Sequence, residues 1–188
     1  MLELGTPAPD FSLPDVVSGK TISLATFSDK DALLVLFVCR HCPFVRHVQD
    51  ELARLGRDYT EPVGIVGISS NDADRYEGDS PESLKEWAAE CGFTFPVCFD
   101  QTQSVAKAYT ASCTPDPFLF DDKRLLVYRG QLDDSRPGNG KPPTGRDIRA
   151  ALEAMLSGRA VDPVQRPSAG SNLKWKPGNA PAYFGARA

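Results

Sequence analysis

The sequence lacks the features that mark several large classes of protein. It has 21 basic and 25 acidic side chains, a net charge of −4, and therefore no basic excess for binding nucleic acid or an anionic membrane. No apolar run approaches the roughly 18 residues that a membrane-spanning helix needs. The first residues contain no basic segment followed by an apolar one, so we expect a cytoplasmic protein rather than a secreted one.

Internal repeats and low-complexity segments are also missing. The 188 residues are 41% hydrophobic and 24% charged, which is the composition of an ordinary globular domain. We predict one domain over residues 1–158 and an irregular tail over residues 159–188. Trp175, Tyr183 and Phe184 favour a tail that packs on the domain, because exposed aromatic side chains are costly in water.

Hydrophobic patterning predicts an α/β fold. Residues 32–38 and 63–69 are apolar runs typical of buried strands, and residues 43–57 between them have helical spacing of apolar side chains. This order predicts a right-handed βαβ unit with parallel strands. Shorter elements are expected on either side: a hairpin within 5–27, helices at 80–92 and 102–109, a strand at 97–99, a hairpin at 118–128 and a last helix begun by a capping box at Thr144 and Asp147.

Cysteine is scarce, and its five copies do not suit a secreted disulfide framework. Cys42 stands at the predicted helix N-terminus directly before Pro43, where unpaired backbone N–H groups and the helix dipole favour a thiolate. Three basic side chains nearby add positive charge: Arg40, His41 and Arg46. Because the thiolate is the reactive form, Cys42 is the predicted nucleophile.

Two other cysteines are candidate partners for Cys42. Cys39 lies three residues upstream, within reach of a disulfide, although packing as a small apolar residue is its alternative fate. Cys113 precedes Thr114-Pro115, a turn in which a cis peptide is plausible, and it becomes a partner if that turn abuts the helix. Cys91 and Cys98 lie in apolar patterns and are predicted to be core residues.

Several segments, in order, resemble the thioredoxin-like superfamily in its peroxiredoxin-like, or redoxin, branch. They are GTPAPDFSLPDVVSGKTISLATF, FVCRHCPFV, FPVCFDQTQSVAKAY, CTPDPFLFD and the late LKWKPGNAP. The resemblance implies a three-layer fold, with a central mixed β-sheet flanked by helices, an N-terminal β-hairpin extension and an irregular C-terminal tail. It places Cys42 at the first cysteine of the thioredoxin Cys-x-x-Cys motif and Pro115 at the cis-proline.

The sequence departs from both family patterns. Val45 stands where thioredoxins have their second cysteine, and Cys39 stands where peroxiredoxins have a threonine. Val35 occupies the peroxiredoxin proline position, and Pro115 falls where those peroxidases have an arginine. Relatives in a less characterised subgroup commonly have a cysteine where this tail has Ser171.

These residues leave several functions open. The first is a thiol-disulfide oxidoreductase with an antioxidant role, acting on protein or small-molecule disulfides with a cellular thiol as reductant and no cofactor. The second is a thiol peroxidase, in which Cys42 becomes a sulfenic acid. The third is a copper or zinc module built from Cys39, His41, Cys42 and His47, and the fourth is an interaction protein with incidental thiols.

Overall fold

The computed structural model describes residues 1–185, and residues 186–188 of the predicted tail lie outside that range. The strands are β1 (Ser12–Pro14), β2 (Thr21–Ser23), β3 (Ala32–Phe37), β4 (Val63–Ser69), β5 (Val97–Phe99), β6 (Cys113–Thr114), β7 (Asp116–Phe120), β8 (Leu126–Arg129) and β9 (Ser171–Asn172). The α-helices are α1 (Pro43–Tyr59), α2 (Pro81–Cys91), α3 (Ser104–Ala108) and α4 (Arg146–Leu156).

Five strands form a mixed sheet in the order β5-β4-β3-β7-β8. β3 and β4 run parallel, with Val35 opposite Val66, and α1 connects them, so the predicted βαβ unit is confirmed. β7 runs antiparallel to β3, with Phe118 opposite Val35. Every residue of β3 is buried, as expected of a central strand covered on both faces.

Alternate residues of β3 point into two separate apolar cores. Leu34 and Leu36 pack with residues of α1, α2 and α4 on one face. Leu33 and Phe37 pack on the other face with α3, the β1–β2 hairpin and Leu173 of the tail. The sheet is therefore the middle layer of three, and the predicted N-terminal hairpin is present as β1 paired with β2.

The start of α4 differs from the prediction. The capping box at Thr144 and Asp147 is wrong, because the N-cap is Gly145 with φ +63° and no side-chain cap. The backbone carbonyl of Leu132 instead accepts the N–H groups of Asp147 at 3.1 Å and Ile148 at 3.2 Å in the first turn. The Asp133 carboxylate accepts the backbone N–H groups of Thr144 at 2.8 Å and Gly145 at 2.7 Å, just before that turn. The preceding loop thus satisfies amides that a local side chain was expected to bind.

The described part of the tail runs past the end of the sheet at which Cys39 and Cys42 lie. β9 pairs antiparallel with β6, and Leu173 directly after it is only 2% exposed. The Trp175 and Tyr183 rings contact edge to face, with centroids 6.3 Å apart, whereas Phe184 is 48% exposed, contrary to the expectation for that side chain. Among residues 1–185, no helix has both the length and the apolar character to cross a bilayer.

Candidate active site

Cys42 lies where the chain turns from the central strand into α1. It is the N-cap residue of α1 in an extended conformation, and Pro43 occupies the first helical turn, where its missing N–H costs nothing. Cys39 lies just beyond the end of β3. Both side chains are buried, Cys39 at 3% and Cys42 at 5% exposed.

The loop between β6 and β7 contacts both sulfur atoms. The Thr114–Pro115 peptide bond is cis. The carbonyl oxygen of Thr114 lies 3.2 Å from Cys42 Sγ, where it can accept a proton only from the thiol form of Cys42. The hydroxyl Oγ1 of the same threonine lies 3.1 Å from Cys39 Sγ. Thr114 therefore bridges two cysteines more than 70 residues upstream.

The tail supplies a further contact to the nucleophile candidate. Ser171 Oγ lies 3.1 Å from Cys42 Sγ, and Ser171 is the residue of β9 that stands opposite Thr114 of β6. A hydroxyl can donate as well as accept, so Ser171 can donate its proton to a Cys42 thiolate. No local pattern in the sequence points to Ser171, and only the family resemblance marks that position.

The pKa of Cys42 is lowered from 9.0 to about 4. The hydrogen bond from the Cys39 thiol is the largest cause, and it outweighs burial, which raises the pKa. Ser171 and Thr114 lower it further, and the backbone N–H of Val45 makes a smaller contribution. These causes favour the thiolate form of Cys42, and neutral side-chain donors rank before the backbone N–H of Val45 among them.

The pKa of Cys39 moves in the opposite direction. Its hydrogen bond to Cys42 raises this pKa most, followed by burial and by the carboxylate of Asp79. Asp79 is itself buried and accepts the backbone N–H of Arg40 at 2.8 Å and the Asn71 amide at 3.0 Å. The pair thus holds one proton on Cys39 and one negative charge on Cys42.

The basic side chains near Cys42 are directed elsewhere. The Arg40 guanidinium donates to Ser83 Oγ at 2.7 Å and pairs with Glu86 and Glu90 of α2 at 3.3 and 3.2 Å. The His41 ring lies against Gly78, where any Cβ would overlap it. Arg46 is exposed on α1. The role predicted for these cations in stabilising the thiolate stays a prediction.

Cys113 lies in β6, next to Thr114, with its sulfur 3.8 Å from the carbonyl oxygen of Pro115. Burial is the first cause that raises its pKa, and the nearby Asp116 carboxylate is the second. Cys98 is fully buried in the core, as predicted, and burial raises its pKa to about 12. Cys91 is partly exposed, and its pKa is also raised, first by burial.

The part of the chain that the structure describes contains no cluster of metal ligands. Among residues 1–185, no three histidine, cysteine or acidic side chains converge closely enough to hold an ion. His47, which the metal hypothesis includes, lies on α1 with its Nε2 atom buried and without a hydrogen-bond partner.

Comparison with known proteins places this arrangement in a family. The pattern of the AhpC/TSA family matches residues 4–129, which is most of the domain. The chain belongs to the AhpC/TSA family. An uncharacterized conserved protein from Geobacillus kaustophilus has 53% sequence identity to it and a TM-score of 0.92, with 94% of each chain covered.

Two more distant proteins carry functional names. The thioredoxin domain of a thiol-disulfide oxidoreductase from Bacteroides vulgatus is 22% identical, with a TM-score of 0.58 over 69% of this chain and 89% of that one. This similarity confirms the thioredoxin-like fold. Thiol-disulfide oxidoreductase ResA of Geobacillus kaustophilus is 26% identical over 120 residues, 63% of this chain and 63% of ResA. The match therefore spans less than two thirds of that relative's length.

Proposed function

We propose that the protein is a thiol-disulfide oxidoreductase in which the Cys42 thiolate attacks and the Cys39 thiol resolves. The observation that carries this proposal is that Thr114 contacts both sulfurs, with its Oγ1 3.1 Å from Cys39 Sγ and its carbonyl oxygen 3.2 Å from Cys42 Sγ, while Cys42 caps the N-terminus of α1. A thiolate is the form of cysteine that attacks a disulfide. The contacts of Thr114 hold a second thiol, that of Cys39, beside it.

In the first step the Cys42 thiolate attacks one sulfur of a substrate disulfide. A new S–S bond forms as the substrate's bond breaks, and the departing thiolate takes a proton from solvent. Cys39 then attacks the Cys42 sulfur and gives its proton to the second substrate thiolate as that leaves. The substrate has gained two electrons, and a Cys39–Cys42 disulfide remains for a cellular dithiol to reduce.

The two steps are linked by charge. In the resting pair the hydrogen bond to Cys42 raises the pKa of Cys39, and the Cys42 charge adds to this effect, so Cys39 stays protonated. Formation of the mixed disulfide removes the Cys42 charge, and with it the largest obstacle to ionising Cys39. The Thr114 hydroxyl, 3.1 Å from Cys39 Sγ, can donate to the thiolate that forms. The resolving thiol is thus activated only after the nucleophile has reacted.

Cys39 suits the resolving role better than Cys113. The Cys113 thiol donates to the carbonyl of Pro115, within its own loop, and contributes no hydrogen bond to Cys42. Burial also raises its pKa, as does Asp116. Mass mapping after mild oxidation is expected to show a Cys39–Cys42 disulfide, whereas a Cys42–Cys113 linkage would assign the role to Cys113.

The proposed partners are a disulfide-containing protein and a cellular dithiol reductant in the cytoplasm. The name of the relative ResA supports disulfide exchange, as does the preference of thiolates for disulfide sulfur. No cofactor enters either step, because both electrons come from the two thiols.

A second candidate, a thiol peroxidase, is favoured by the narrow access to Cys42, which is only 5% exposed. A peroxide is small enough to reach such a sulfur. The thiolate would attack one peroxide oxygen, the O–O bond would break, and the departing oxygen would leave as water or alcohol after protonation. Cys39 would then displace water from the sulfenic acid to give the same disulfide.

One set of assays separates the two candidates. Reduction of insulin disulfides and consumption of hydrogen peroxide are measured with dithiothreitol as reductant, on the wild type and on Cys42→Ser. We expect the wild type to reduce insulin faster than it consumes peroxide and the variant to do neither. Thiolate absorbance at about 240 nm against pH reports whether Cys42 is ionised at neutral pH. Insulin reduction retained by Cys42→Ser would refute the proposed function.

A further inference from the structure

A cavity on the face of the sheet that packs against α3 is separate from the cysteine pair, and neither Cys39 nor Cys42 lines it. Its volume is about 150 Å³. Three apolar side chains and three polar ones contribute to its wall: Leu2, Phe118, Pro167, Thr110, Asp116 and Arg129. An engineered apolar cavity of about this volume binds benzene, so a ligand here has an apolar part of about six carbon atoms or fewer. Apolar walls with a few polar groups are typical of small-molecule sites.

Asp116 brings a carboxylate to this cavity without a cationic side chain paired to it. The residue is 7% exposed, and its two carboxylate oxygens accept the Ser112 backbone N–H at 3.2 Å and the Ser168 hydroxyl at 2.9 Å. Burial raises its pKa to about 6, and the amino group of Met1 is the last among the causes that lower it. Among residues 1–185, no lysine or arginine forms a salt bridge with Asp116. Since a buried charge without an ionic partner is unfavourable, a ligand that supplies a cation here gains affinity.

Arg129 brings the opposite charge to the same wall. Its Nε donates to the Leu2 carbonyl oxygen at 2.7 Å, and its Nη1 donates to Gln165 Oε1 at 3.2 Å. Both acceptors are neutral, and within the described residues the guanidinium forms no salt bridge, either with Asp116 or with another carboxylate. The cavity wall therefore carries one carboxylate and one guanidinium that do not neutralise each other.

Thr110 adds a hydroxyl to the wall at a strained position. It follows the end of α3 with φ +50°, where glycine is the usual residue and a β-branched side chain is unfavourable. Its Oγ1 atom is buried and has no hydrogen-bond partner within residues 1–185. A buried hydroxyl without a partner is also unfavourable, and a bound molecule with a polar end would satisfy it. Strain that glycine would relieve is thus retained together with an unused polar group.

We propose that this cavity binds a free α-amino acid with a small apolar side chain, such as valine or leucine. The ligand's ammonium group pairs with Asp116, its carboxylate pairs with Arg129, and its side chain packs against Phe118. The Thr110 hydroxyl donates to the carboxylate or accepts from the ammonium group. A ligand with a single charge would leave either Asp116 or Arg129 unpaired, whereas a zwitterion pairs both. The inference does not depend on the proposed function, because that function uses only residues outside this cavity and is decided separately by insulin reduction.

The first test uses the wild type and analogues that each lack one charge. NMR spectra of isotope-labelled protein are recorded with leucine or valine at about pH 8, where the Asp116 carboxyl is ionised. We expect saturable shifts of the backbone amides of Thr110 and Gly130, which both line the cavity. Isoamylamine, which lacks the carboxylate, and isocaproate, which lacks the ammonium group, should each bind at least about tenfold more weakly than leucine. The absence of shifts with both amino acids at about 10 mM, or an analogue that binds as tightly as leucine, would overturn the proposal.

Asp116→Asn tests the position of the ammonium group. The amide can keep the local contacts, because its oxygen can accept the Ser112 N–H and its NH₂ can donate to Ser168 Oγ, which then donates to the Gly130 carbonyl 2.9 Å away. This variant should bind leucine at least about tenfold more weakly and isocaproate within about twofold of wild type. Asp122→Asn, an exposed change of equal charge in the turn after β7, is the matched control and should bind leucine as wild type does. Unchanged leucine affinity in Asp116→Asn would overturn the pairing.

Arg129→Gln tests the position of the carboxylate in the same way. It should bind leucine at least about tenfold more weakly and isoamylamine within about twofold of wild type, and exposed Lys123→Gln is its control. General damage to the cavity would weaken leucine and isoamylamine alike, so an equal loss of both in Arg129→Gln would overturn the assigned carboxylate position. If either variant does not fold, the analogue series on the wild type still decides whether the cavity recognises both charges.

Discussion

Cys42 and Cys98 show that burial alone does not determine how a thiol behaves. Cys42 is the N-cap residue of α1 and Cys98 is the middle residue of β5, and both are buried, at 5% and 0% exposed. Burial raises the pKa of Cys98 to about 12, whereas the pKa of Cys42 falls to about 4. The difference lies in the partners, because a thiol and two hydroxyl-bearing residues surround Cys42. A buried thiol is favoured as the thiolate when its surroundings can donate hydrogen bonds to the anion, and the proposed role of Cys42 requires that form.

The sharpest contrast comes from removing each sulfur. Cys42→Ser should lower kcat/KM for insulin reduction at least about 10³-fold, because the attacking atom is lost. Cys98→Ala should keep the wild-type rate and lower the free energy of unfolding by about 1 kcal/mol, because only packing is lost. Steady-state kinetics and urea unfolding measure both. A Cys98→Ala variant as inactive as Cys42→Ser would remove the distinction between the two sites.

The next largest effect should come from the thiol donor. Cys39→Ala should raise the pKa of Cys42 by about two units, because the largest stabilising hydrogen bond disappears. Cys39→Ser, which retains a hydroxyl donor, should raise it less. Titration of the absorbance at about 240 nm checks the pair of variants. A pKa unchanged in Cys39→Ala would show that the other donors suffice.

The fold and the cysteine pair were predictable because their signals are local. Residues 32–38 form one unbroken apolar run, and such a run at strand length indicates a central strand. Cys39 and Cys42 lie in one short loop, so their proximity follows from chain length. Ser171 was not predictable from the residues, because a single serine 129 positions away in an irregular tail has no pattern of its own. The hydrogen bonds that lower the pKa of Cys42 were likewise not predictable, because they depend on the direction of side chains in the folded protein.

Charge on Cys42 should also affect stability. Its folded pKa of about 4 lies below its ordinary 9.0, so its contribution is complete above pH 9 and is lost as pH falls toward 4. Burial raises the pKa of Asp116 from 3.8 to about 6. Its contribution to stability therefore falls as pH rises through that range, which is opposite in sign to the contribution of Cys42 and lies at lower pH. Between about pH 6.5 and 8, the free energy of unfolding of wild type minus that of Cys42→Ser should therefore rise by about 1.3 kcal/mol per pH unit. If this difference in the free energy of unfolding, measured with urea, did not change with pH, the lowered pKa of Cys42 would be contradicted.

A smaller change is expected from the tail. Ser171→Ala should raise the pKa of Cys42 by about one unit, because one hydrogen bond to a charged group is worth roughly 1.5 kcal/mol. Ser171→Thr keeps the hydroxyl and serves as the control. Titration of the thiolate absorbance measures both variants. If Ser171→Ala left the pKa in place, the tail would cover the sulfur without stabilising its charge.

The smallest effect should come from the charge that sequence reasoning placed beside the thiolate. The Arg40 guanidinium is bound to Ser83, Glu86 and Glu90 on α2, and the two glutamates are largely exposed. Exposed ion pairs contribute about 0–1 kcal/mol to the free energy of unfolding. The electric field of Arg40 at Cys42 is weakened by solvent and by the opposite charges of Glu86 and Glu90. Arg40→Met should therefore shift the pKa of Cys42 by less than about 0.3 unit, far less than loss of the neutral Cys39 thiol. A shift as large as that of Cys39→Ala would mean that long-range charge, rather than direct hydrogen bonding, distinguishes Cys42 from Cys98.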